Sequence, residues 1–154
     1  MKIIQKKSGF TMIEVMLAML ILSVALLGVA RISVSVVRGN AFSSNFTTAT
    51  ALAQEKLEKL SNLAFDDASL NDANAENNST AGLLSSATTD FQETQVDVNG
   101  VASMPGGIFT RTWNVWDRTD LSNPATRKDI AVIVSWQDVQ GNPKTATIST
   151  TRVN

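Results

Sequence analysis

One carboxylate, Glu14, stands four residues into an otherwise uncharged apolar run from Phe10 to Ala30. A charged side chain in a bilayer core is disfavoured by about 2.5–3.5 kcal/mol even on a lenient insertion scale. Glu14 must therefore stay protonated or meet a positive partner, and it reads as a partner-seeking group. Chemistry of other kinds finds little to build on. The chain has no His and no Cys, so the usual general base, thiol nucleophile and zinc-ligand sets are missing, and there is no glycine-rich phosphate loop. Asp66 and Asp67 lack the apolar neighbours that raise a carboxyl pKa. Asp72, Asn74 and Glu76 alternate as calcium ligands do, but no glycine or later bidentate acid completes an EF-hand loop, and a solvated loop is the expectation. The sequence thus predicts a non-enzymatic chain with no catalytic residue, no metal and no cofactor.

Glu14 has to be positioned by a helix. Phe10 to Ala30 spans 21 residues, or about 31 Å as an α-helix, against a hydrocarbon core of about 30 Å. Lys2, Lys6 and Lys7 precede the run, and no charge follows Glu14 until Arg31 and Arg38. The positive-inside bias then keeps the amino end cytoplasmic and sends everything after Arg31 across the membrane. A secretory signal peptide cleaved after Ala30, and a functionally silent anchor, are the competing readings. Glu14 near the start of the apolar core and a helical pattern that runs past Ala30 oppose the signal peptide.

The segment Gly9-Phe10-Thr11-Met12-Ile13-Glu14-Val15 resembles the processing site of type IV pilins and type II secretion pseudopilins, with Met12 as the visible departure from the commonest form. The resemblance implies that a prepilin peptidase removes a basic leader, residues 1–9, by cutting between Gly9 and Phe10 and methylates the new amine of Phe10. It implies as partners that peptidase, other minor and major pilins or pseudopilins, an inner-membrane assembly platform, and membrane lipid before assembly. The expected location is the bacterial inner membrane, single-pass with a periplasmic head, and later a pilus or pseudopilus. After cleavage Phe10 carries an α-amine and Glu14 lies one helical turn along, so each subunit carries both halves of an ion pair. A buried ion pair contributes little net stability, but either charge left unpaired is strongly unfavourable, so Phe10 and Glu14 set axial register in an assembly.

Removing the leader lowers Lys plus Arg from 13 to 10 against 14 acidic residues, a net charge of −4. That balance lacks the basic footprint of a nucleic-acid binder. The absence of Cys departs from the many type IV pilins that close a carboxy-terminal loop with a disulfide, and stability must come from packing.

Beyond the apolar run, Phe42, Phe46, Ala49, Ala53, Leu57, Leu60 and Ala64 recur at helical spacing, with Gln54, Glu55, Lys56, Glu58 and Lys59 facing away. This predicts one helix from Phe10 to about Ala64: a transmembrane or filament-core half, residues 10–30, and an amphipathic half, residues 31–64. Gly28 and Gly39 are its expected bend or melting points. A polar loop is expected over 66–86 within a β-rich head, residues 65–154. Alternation predicts strands over 109–117 and a hairpin over 130–152 that turns at Asp138 to Pro143, with Phe91 to Val98 a weaker strand. The predicted fold class is α+β: a long amino-terminal helix whose amphipathic half packs on a small antiparallel sheet, in a pilin-like arrangement.

The run Ile130-Ala131-Val132-Ile133-Val134-Ser135-Trp136-Gln137-Asp138, together with Ala51-Leu52-Ala53-Gln54-Glu55-Lys56-Leu57, resembles PilV-type minor pilins and the related type II secretion minor pseudopilin I. The resemblance implies a minor subunit that promotes filament assembly at an initiating tip complex. Trp113 and Trp136 fall in register with apolar neighbours and are expected in the core, whereas Trp116 is the candidate for a partner surface. The three indoles beside Arg111 and Arg118 also suggest a single-stranded DNA platform, a reading the net charge disfavours. Arg111 itself is expected to be a solvated strand residue.

Overall fold

The computed structural model describes residues 9–120 and 123–154. Lys2, Lys6, Lys7 and most of the expected leader lie outside the described residues. Helix α1 covers Met12–Ser61. It runs through Gly28 and Gly39 as helix, so neither is a melting point. One glycine is disfavoured by only up to about 1 kcal/mol, which the flanking helical residues absorb.

The chain divides into two units, residues 1–40 and 41–154. In the first, every described residue is exposed, including Met12, Leu17, Leu20, Leu27 and Val37. An apolar window in α1 with mean hydropathy 2.5 makes this helix long and apolar enough to cross a membrane.

The second unit holds the core. Strands β1 (Phe91–Val96), β2 (Phe109–Asp120), β3 (Asn123–Gln137) and β4 (Pro143–Val153) form one antiparallel sheet in sequential order. Ala49, Leu52, Ala53 and Leu60 of α1 pack with Phe109, Trp113, Val115, Ile130, Val132, Val134 and Trp136 on one sheet face. Trp113 and Trp136 are buried, as the strand registers predict. Phe42 and Phe46 sit at the edge of this core with their rings 6.3 Å from Trp136, whereas Ala64 is exposed because α1 has already ended. The β3–β4 turn forms as expected, with Gly141 at φ +80° and Asp138 accepting from the amides of Gln140 and Asn142.

Three expectations are corrected. Segment 66–86 contains two 3-10 turns, Ala68–Leu70 and Ala75–Asn77, and a single helical turn α2, Thr80–Leu83. Asp67, Asn74 and Ser79 cap them by accepting amide hydrogen bonds from Ser69, Glu76 and Gly82, and Leu70 and Leu83 are buried. Arg111 is not solvated: it is 2% exposed and ion-paired to Glu93 and Glu55. Lys56 does not face away either, because its ammonium reaches Glu93 at 2.7 Å and lies 3.7 Å from the centre of the Trp113 ring. Glu55 and Lys59 form an i, i+4 pair on the helix surface.

Candidate processing and assembly site

The site starts at an unhindered glycine. A Cβ added to Gly9 meets nothing within 4 Å. The fold therefore imposes no steric need for glycine there. Phe10 follows at 84% exposure. Thr11 then caps α1: its carbonyl accepts from the amides of Glu14 at 3.1 Å and Val15 at 3.2 Å, and its Oγ1 accepts from the Glu14 amide at 3.3 Å. Thr11-x-x-Glu14 is the spacing of a capping box, a signal present in the sequence that the reading of Glu14 as an isolated carboxylate passed over. It also places Glu14 in the first helical turn, where the positive end of the helix dipole favours a carboxylate by about 0.3–1 kcal/mol at an exposed position.

Phe10, just before the Thr11 cap, and Glu14, in the first turn of α1, face the same depression. Together with Val15, Ala18, Met19 and Leu22 they line this shallow depression of about 460 Å³. Its floor is apolar, so Glu14 supplies a lone titratable edge to a surface otherwise shaped for aliphatic contact. Such a surface can seat an apolar helix that brings one cation, and the carboxylate discriminates against helices that bring none.

The head carries two ionic groupings. Around Arg111, the guanidinium donates to Glu93 Oε2 from Nε at 2.7 Å, to the Leu52 carbonyl and to the Gly100 carbonyl. Burial opposes ionisation of Glu93, but hydrogen bonds from Lys56 and Arg111, with their charges, outweigh it and hold the carboxyl below its ordinary value. On the other sheet face, Asp129 accepts from Arg127, from Thr151 Oγ1 at 2.7 Å, and pairs with Arg118 Nε at 2.8 Å. Burial again works against the charge, and the Thr151 and Arg127 hydrogen bonds prevail, so Asp129 also titrates below its usual range. Trp116 is half-buried in that row, with the Arg118 guanidinium 4.1 Å from its ring centre. Asp72, Asn74 and Glu76 do not converge: Asp72 accepts from the Asp117 amide and Asn74 is a cap. Among the described residues no group of three or more acidic, His or Cys side chains forms a metal site.

Residues 4–30 match the family model described as the prokaryotic N-terminal methylation motif. The match covers Gly9, Phe10 and Glu14 and supports a prepilin-type protein, a type IV pilin-like or pseudopilin-like chain. It implies processing by a prepilin peptidase and assembly with other pilins, and with the apolar helix it fits an inner-membrane anchor. No curated protein and no solved structure matches the chain.

Proposed function

We propose that the chain is a minor pilin-like subunit, cut by a prepilin peptidase between Gly9 and Phe10, methylated on Phe10 and incorporated into a type IV pilus. Its task in this reading is to promote filament initiation in a tip complex with other minor subunits. The carrying observation is the shared depression of Phe10 and Glu14 at the capped start of α1, whose apolar residues up to position 40 are all exposed, inside the methylation motif. A stripe this apolar is stable in lipid and, once extracted, among helices of its own kind. The new Phe10 amine of one subunit and Glu14 of another then pair and fix the axial step. A minor pseudopilin of a type II secretion system would use the same residues in the same way. Trp116 is the head's candidate contact.

The decisive experiment is the intact mass and amino-terminal sequence of the protein recovered from membranes of its native host. A chain that begins at Phe10 and is heavier by one methyl group supports the reading. A chain beginning at Met1 or Arg31 removes its basis.

A further inference from the structure

Trp116, Asp129 and Thr151 are register partners across β2, β3 and β4, so their side chains form one transverse row on a single sheet face. With α2 as a wall, this row borders a depression of about 320 Å³ lined by Thr80, Leu83, Trp116, Arg118, Ser149 and Thr151, among others. That volume lies at the low end for small-molecule sites and suits one ring-sized group. The lining is mixed: one indole, hydroxyls from Thr80, Ser149 and Thr151, the guanidinium of Arg118 and the carboxylate of Asp129 that it pairs with.

The charge at this rim is unbalanced. Arg118 and Arg127 both engage the single carboxylate of Asp129, and both remain solvent-accessible, their side chains 42% and 45% exposed. Both Asp129 oxygens are occupied. Among the described residues the rim therefore carries two guanidinium groups against one carboxylate whose oxygens are both engaged, an excess of one positive charge. Spare guanidinium donors fit the planar carboxylate of a ligand.

We propose that this row binds a carboxylated sugar ring, a uronic-acid unit of an acidic polysaccharide. A pyranose ring has an apolar C–H face for the side of the indole that the Arg118 guanidinium does not cover, a rim of hydroxyls that the Thr and Ser side chains meet, and in a uronic acid a carboxylate for Arg118 and Arg127. A single-stranded nucleic acid fits less well. It needs a basic groove that follows several phosphates, yet Lys128, the next cation along β3, belongs to the opposite face and donates to the Leu70 carbonyl. The inference rests on Trp116 as a contact residue, but not on how the chain is processed or assembled.

The test uses the full-length chain in a sugar-free, non-ionic polyoxyethylene detergent, titrated with galacturonate oligomers while indole fluorescence is followed. Neutral galactose oligomers of equal length and oligo-thymidylate are the comparison probes. Saturable binding of the acidic oligomers is expected, with affinity at least about tenfold above that of the neutral ones. Trp116→Leu should lose about tenfold in affinity, and Trp116→Phe should keep part of it. Ser149→Phe fills the depression from an exposed strand position and should abolish binding with the fold intact, which covers the case in which Trp116→Leu fails to fold. Equal binding of neutral and acidic sugars, or stronger binding of oligo-thymidylate, overturns the proposal. So does the absence of binding by every probe. In that event reduced filament incorporation of Ser149→Phe would keep the rim as a subunit contact, and unchanged incorporation would discard Trp116 as a contact residue as well.

Discussion

Glu93 and Arg111 stand opposite each other as register partners in β1 and β2, with Arg111 Nη2 2.6 Å from Glu93 Oε2. The same guanidinium reaches back to the Leu52 carbonyl of α1 and across to Gly100. One buried side chain thus ties the helix, the first hairpin and the loop after β1. Removing one partner of a buried pair leaves the other charge uncompensated, at about 3–5 kcal/mol in a fully buried case. Glu93 keeps 24% of its side-chain surface and Lys56 as a second partner, so Arg111→Met should destabilise the head by about 2–3 kcal/mol. Denaturant unfolding followed by Trp fluorescence reads this directly, and a loss under about 0.5 kcal/mol would deny Arg111 its tethering role.

Acid should loosen the same region. The Glu93 carboxyl titrates below its ordinary 4.5 in the folded head, so the unfolded chain binds its proton first as the pH falls. The stabilisation from its ionised form is complete above that ordinary value and is lost as the pH drops through the lower folded value. Asp129 acts in the same direction from its ordinary 3.8. The head's melting temperature should therefore be flat from about pH 7 to 5 and fall below about pH 4.5. Glu93→Gln should flatten the first part of that fall, and an unchanged slope would assign the acid sensitivity to other carboxylates.

Adjacent glycines before β2 are needed for different reasons. Gly106 has φ +90° but open space for a Cβ, so Gly106→Ala meets only backbone strain, about 1 kcal/mol or somewhat more. A Cβ on Gly107 would lie 2.2 Å from the Gln95 carbonyl oxygen, at the irregularity where the β1–β2 register shifts between Glu93 and Val96. Neither backbone can yield without breaking the Met104 to Gln95 hydrogen bond nearby. Gly107→Ala should lower stability by at least about 3 kcal/mol, well beyond Gly106→Ala in the same thermal assay.

The helix and the hairpin were legible because their signals are local. Apolar spacing of three and four marks α1, and alternation around Val132 and Val134 marks β3. Arg111 and Lys56 were misread because burial of a cation depends on a partner distant in sequence: Glu93 is 18 and 37 residues away. The turns in 66–86 were missed because three or four residues are too few to show a period, although Asp67, Asn74 and Ser79 are capping types placed at their starts. β3 starts before the expected hairpin because Asp129 and Lys128 pair with Trp116 and Asp117, and β2 runs past Asp117 through the Arg118–Arg127 and Asp120–Asn123 pairs, so the ladder continues without apolar alternation. At the amino end the Thr11-x-x-Glu14 spacing already signals a cap in the sequence, and the hydrogen bonds from the Glu14 amide to Thr11 show it formed.

Gly9→Ala separates folding from processing. Open space around Gly9 means the methyl group disturbs no contact in the described chain. The head's melting temperature should match wild type, while a membrane-bound form retaining its leader accumulates in the native host. An anti-head immunoblot with intact mass measures both. Normal maturation of the variant would overturn the processing assignment.

Glu14→Ala probes the next step along. The Glu14 amide, not its side chain, makes the capping bonds with Thr11, so the start of α1 should survive the substitution. The lost carboxylate removes only a dipole contribution of about 0.3–1 kcal/mol, and the apolar run becomes more favourable in lipid. Cleavage between Gly9 and Phe10 and membrane retention should therefore persist. Incorporation into filaments should fall by about tenfold or more, because each Phe10 amine that leaves lipid for a filament then lacks its counter-charge. Glu14→Gln sharpens the test: it keeps size and polarity, and failure of Gln as well as Ala assigns the role to the charge. If the Ala variant enters filaments as well as wild type in a co-expression competition, Glu14 does not set the register, and the depression it shares with Phe10 serves only lipid or aliphatic packing.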